Sequence, residues 1–138
     1  MALFIGITSA LAAAVFARRV GLDRDRAFYP TVMIVIALLY VLFAAIGGSS
    51  GGVLLAEVAV GAGFIALATV GFQRSLWFVV VALAAHGVFD FFHPHAIHNP
   101  GVPVWWPEFC GSYDIVAAAL LGWQLCRTAP APAGKNRL

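Results

Sequence analysis

Long runs of apolar residues, interrupted by short polar or glycine-rich stretches, organise this chain. A helix needs roughly 20 apolar residues to cross a hydrocarbon core about 30 Å thick. Five runs approach that length: Ala2–Ala17, Phe28–Ile46, Val53–Phe72, Leu76–Phe92 and Ser112–Leu125. Strands of a membrane barrel alternate apolar and polar residues. These runs do not alternate and are rich in Ala and Leu, so the pattern predicts helices. The expected fold class is all-α, an integral membrane bundle of about five transmembrane helices.

The breaks between runs carry their own signals. Gly21–Arg26 is a short polar loop, and Pro30 suits the first turn of the helix that follows. Gly47–Gly52 is a flexible turn, and Gln73-Arg74-Ser75 is short enough to make the third and fourth spans antiparallel neighbours. Ala62 with Ala66, and Ala118 with Gly122, are spaced for close helix packing. Residues 1–127 read as one transmembrane domain, and residues 128–138, with their Ala-Pro repeats, as a disordered cytoplasmic tail.

Charge adds orientation. Only 10% of the 138 residues are charged and 62% are hydrophobic, which leaves room for one small bundle and no separate soluble domain. Arg18, Arg19, Arg24, Arg26, Arg74, Arg127, Lys135 and Arg137 all fall in connections on one side of the predicted topology. The connections Gly47–Gly52 and His93–Gly111 carry no Lys or Arg. The positive-inside rule places the N-terminus outside and the C-terminus in the cytoplasm, in a bacterial inner membrane. The net charge of +2 then reflects orientation, and no basic patch suggests nucleic acid. In the first run the positive charges follow the apolar core, whereas a signal peptide has them before it; the run reads as a retained helix. Cys110 is expected in the outer connection and Cys126 at the inner end of the last span, about 24 Å apart, too far to pair.

The longest connection, His93 to Gly111, holds four prolines and the pair Trp105-Trp106. It reads as a stiff segment in the outer interface, where indole rings settle at headgroup depth. The tryptophans are either an anchor or the lip of a substrate entrance. His95 and His98 read as solvated loop residues or optional outer ligands.

Ionisable residues inside the spans carry the candidate chemistry. His86, Asp90 and His93 are spaced by four and three residues, which puts them on one helix face. Glu57 lies a few residues into the third span, and Asp114 in the first turn of the fifth. Tyr40 could add a phenol from the second span. Glu57, His86, Asp90, His93 and Asp114 are expected to meet in one pocket of the outer leaflet. Imidazole and carboxylate together form a ligand set for zinc, iron or manganese, and a metal-bound water becomes a nucleophile near neutral pH. His86, Asp90 and His93 are the predicted metal ligands, for a divalent transition metal such as zinc or iron. Glu57 or Asp114 is the predicted further ligand or general base. A purely structural role would rest on interhelical hydrogen bonds of about 0.6 kcal/mol each. Inserting one Asp near the bilayer centre costs about 2.5–3.5 kcal/mol, so such bonds account poorly for the whole set.

Tyr40, Glu57, the run His86-Gly-Val-Phe-Asp90-Phe-Phe-His93 and the run Cys110-Gly-Ser-Tyr-Asp114 resemble the pattern of an uncharacterised family of small bacterial inner-membrane proteins. Its motif is a Tyr, a Glu, H-x-x-x-D-x-x-H and C-x-x-x-D. The chain departs from it at Pro94, where the family often has a second His. The resemblance implies a membrane location and adds weight to the site; it implies no activity. By analogy of site chemistry alone, the chain is also similar to intramembrane metal hydrolases of the ceramidase and adiponectin-receptor type.

The function expected from these residues is metal-dependent hydrolysis of a membrane lipid or other membrane-soluble substrate. Two alternatives stand beside it. One is a non-catalytic role, as a homo-oligomer or in a larger membrane complex. The other is a small proton- or cation-coupled carrier. Against a carrier, Val58–Phe72 and Leu76–Ala85 are apolar apart from Thr69.

Overall fold

A computed structural model describes residues 1–128; of the expected disordered tail, Thr128 ends the last helix and residues 129–138 lie outside the described residues. The five runs form five α-helices: α1 (Ala2–Val20), α2 (Phe28–Ile46), α3 (Gly51–Gln73), α4 (Trp77–Ala96) and α5 (Trp106–Thr128). Each is long and apolar enough to cross a membrane, and there is no strand among the described residues. Apolar side chains such as Phe4, Leu38, Leu55, Val81 and Phe92 point outward, whereas Glu57, His86, Asp90, His93 and Asp114 are buried. That inversion suits a hydrocarbon surround.

Local chemistry sets the helix ends. Gly21 closes α1 in the left-handed region, φ 84°, a conformation that costs glycine nothing, and its N–H donates to the Ala17 carbonyl. Ser50 caps α3 by accepting from the Val53 N–H. Two boundaries differ from expectation. α4 continues past Phe92 through His93 and Pro94 to Ala96, and α5 begins at Trp106, not at Ser112. Glu108 and Cys110 therefore belong to α5, and Cys110 is buried inside the bundle, not placed in an outer connection. Hydropathy marks where apolar side chains stop. Backbone hydrogen bonding continues into the polar flanks, and Pro107 in the first turn of α5 has no intrahelical N–H bond to lose.

α1 packs on α5, α5 on α4, α4 on α3 and α3 on α2, while α2 also touches α4 and α5. α1 and α5 run parallel, since Ser112 donates to the Leu3 carbonyl at one end and Arg18 and Arg127 both sit over the Trp123 ring at the other. α3 and α4 are the expected antiparallel neighbours, with Gly71 against Val79. The expected small-residue contacts are only partly realised. Ala118 is buried, but Ala62 and Ala66 face outward, and Gly122 lies at ordinary contact distance from Trp77 and Val80. A close approach that neither spacing marks brings α4 onto α5 at Gly87 and Gly111. A Cβ on either would stand 2.9 Å from the other's carbonyl oxygen.

Arginines gather at the end where α1 and α5 finish. Arg18 pairs with Asp23 at 3.8 Å, and Arg26 donates to the Gly71 carbonyl. The buried carboxylates and imidazoles of the spans lie toward the opposite end. Between them the core is apolar, built from Met33, Ala68, Val79, Leu83, Ala118 and Leu121.

Candidate metal centre

Spacing of four residues, one helical turn or about 6 Å, recurs on the two helices that meet at Gly87 and Gly111. α4 carries His86 and Asp90; α5 carries Cys110 and Asp114. The helices run antiparallel, so the contact brings both pairs into one group. One ligand-type atom from each of His86, Asp90, Cys110 and Asp114 lies within 4.8 Å of the others. Zinc binds sulfur at about 2.3 Å and nitrogen or oxygen at about 2.0–2.2 Å, so ligand atoms on one ion stand at most about 4.5 Å apart and the group must draw in slightly to hold one. All four residues are at most 2% exposed.

Hydrogen bonding within the group is incomplete. His86 Nδ1 lies 2.8 Å from Asp114 Oδ2 and 3.5 Å from Asp90 Oδ2. A single ring proton serves the nearer oxygen. Both Asp90 oxygens, Asp114 Oδ1 and the Tyr40 hydroxyl are buried without a partner. Pro94, one turn beyond Asp90, has no N–H to give the Asp90 backbone carbonyl either. Buried carboxylate oxygens without donors cost about 1–3 kcal/mol each. A cation among these oxygens, the imidazole and the thiol would satisfy them together. The Phe64 ring stands edge-on to His86 at 4.8 Å.

A second group lies one to two turns closer to the loop end. His93 donates through Nε2 to Glu57 Oε1 at 2.9 Å. Asn99 donates through Nδ2 to the same oxygen at 2.8 Å and to the Tyr40 carbonyl at 3.1 Å. Its Oδ1 accepts from the Gly101 N–H and from Ser49. Unlike the first group, this one is well satisfied. The Tyr40 ring stacks on His93 at 4.0 Å and stands 6.1 Å from His86, so it partitions the two.

The single pocket expected of Glu57, His86, Asp90, His93 and Asp114 is thus two adjoining groups. His86, Asp90 and Asp114 come together; His93 and Glu57 pair with each other. His86 and His93 share a helix face, but seven residues separate them by about 10 Å along the axis, too far to share one ion. His95, His98 and Glu108 are exposed.

Asn99 is the participant that sequence reasoning misses, while Cys110, present there in the C-x-x-x-D motif, is expected in the outer connection and not among the ligands. The C-x-x-x-D spacing repeats H-x-x-x-D, so extending α5 by a turn and a half would have placed Cys110 in the site. Nothing local marks Asn99, whose partner Glu57 is 42 residues away. We expect Asn99→Ala to leave Glu57 and the Tyr40 carbonyl short of a donor. The loss should be about 1–3 kcal/mol of stability, read by unfolding in detergent, with metal content unchanged.

Comparison of the chain with protein-family models, with curated proteins and with solved structures finds no match.

Proposed function

We propose that this chain is a membrane metalloprotein whose centre holds a divalent transition metal, zinc or iron, and hydrolyses a membrane-soluble substrate such as a lipid. The observation that carries the reading is the buried group His86, Asp90, Cys110 and Asp114, in which three carboxylate oxygens have no partner. Nitrogen, oxygen and sulfur donors together favour zinc or iron over magnesium or calcium.

A four-ligand protein cage would be a closed, structural site, whereas a catalytic one keeps a position open for water. The roles that leave one open make His86, Asp90 and Cys110 the ligands. Asp114 then acts as general base, its buried Oδ1 free to take a proton. The Glu57–His93 pair adjoins the centre and could pass the proton onward through the loop end. Apart from Arg74, the seven Lys and Arg residues close or follow α1 and α5 in sequence order, which supports a cytoplasmic position for that end and an outer-leaflet position for the site. A bacterial inner membrane is the compartment this reading assigns. The apolar core between His86 and the arginine end gives a transported proton or cation no path, so transport is the weaker reading.

The test is metal analysis of the purified chain. Stoichiometric zinc or iron is expected, lost in His86→Ala and in Cys110→Ser. Ligands bind in their deprotonated forms and release protons to do so, so affinity should rise with pH. A chain that purifies and remains free of transition metal after incubation with zinc or ferrous iron would remove the proposal.

A further inference from the structure

An apolar groove of about 570 Å³ lies between α2 and α5. Phe28, Val32, Val35 and Leu39 line one side; Phe109 and Cys110 lie on the other. Its volume falls in the range of small-molecule sites, about 300–1,000 Å³. No Lys or Arg lines it, and Asp25 is its sole charge, at the arginine end. Val35 is 52% exposed, so the groove opens sideways to the surround of the bundle. It exists because α2 meets α3 broadly and α5 only narrowly. Cys110 stands both in this wall and in the buried group.

We infer that the groove seats one long alkyl chain of a membrane lipid, with the polar end of that lipid at Cys110. At the depth of these spans the surrounding solvent is hydrocarbon, and a chain is what an apolar cleft there recruits. Dimensions favour a chain over a helix. From Leu39 to Phe28, at the arginine end, the groove runs about 16 Å, about half of a core about 30 Å thick. A helix about 10 Å across would need about 1,200 Å³ over that length, roughly twice what is present. Occupancy of the groove stands independently of the metal; only the placement of the lipid's reacting end at Cys110 rests on the proposed centre.

The test uses the full chain in phosphatidylcholine nanodiscs, photolysed with a fatty acid bearing a mid-chain diazirine, with adducts mapped by peptide mass spectrometry. Adducts should concentrate on α2 between Phe28 and Leu39 and on α5 between Trp106 and Tyr113. Excess unlabelled fatty acid should compete them away. Val35→Trp should lower them about tenfold, the effect of denying a chain about two methylenes of burial. Leu38→Trp, an exposed position outside the groove, should leave them unchanged. Adducts spread evenly over the lipid-facing sides of α1 and α3 would overturn the inference. So would groove residues that cross-link to a second copy of the chain in place of the fatty acid. Metal content is measured on the same samples. Groove labelling in a metal-free chain would uphold the alkyl site while removing the metal centre, and a metal-loaded chain without groove labelling would do the reverse.

Discussion

Changing Asp90 to Leu should make the metal-free protein more stable, by about 1–3 kcal/mol, while abolishing metal binding. Asp90 is fully buried and neither oxygen has a hydrogen-bond partner. Its nearest cationic candidate, His86 Nδ1, is 3.5 Å away and already engaged by Asp114. Such a carboxylate is a burden on the empty bundle, and an apolar side chain of similar size lifts it. With metal present the order should reverse, because a ligand held by the folded state at a thousandfold excess over its Kd adds about 4.1 kcal/mol. Denaturant unfolding of both proteins, with chelator and with zinc, measures the crossover. A brace between helices would behave oppositely: Asp90→Leu would lose stability in chelator, and zinc would change nothing.

Gly111→Val should cost about 3 kcal/mol, the upper end for overpacking, and should empty the metal centre as well. Any Cβ at Gly111 would stand 2.9 Å from the Gly87 carbonyl oxygen and 3.0 Å from the Phe91 ring. The first of these atoms is helix backbone and cannot swing aside, so α4 and α5 must separate. Cys110 and Asp114 flank the contact on α5, and His86 and Asp90 flank it on α4. A shift there moves both halves of the group apart. Gly63→Val is the control, since nothing lies within 4 Å of a Cβ at that site; it should keep both stability and metal. Equal behaviour of the two variants would mean that the glycine contact does not assemble the site.

Hydropathy located every span, and that of α2, Phe28–Ile46, to the residue. Each apolar side chain contributes its own transfer free energy, which adds along the chain wherever the neighbours lie. The i, i+4 spacing likewise placed His86 beside Asp90, because helical geometry relates residues one turn apart. The same axial rise also separates His86 from His93 by about 10 Å, a limit that helix-face reasoning alone overlooks. Membership of Cys110 turned on one boundary, where polar flanking residues obscure how far a helix continues.

The partnership of α4 with α5 at Gly87 and Gly111, the binding of Asn99 to Glu57 and the cleft between α2 and α5 follow from no local pattern. They depend on how closely two helix backbones approach, a property of paired surfaces whose residues lie tens of positions apart. Type and spacing of the acidic and imidazole side chains are written in the linear order of residues. Which of them share a space, and which remain without a donor, is settled where helices touch.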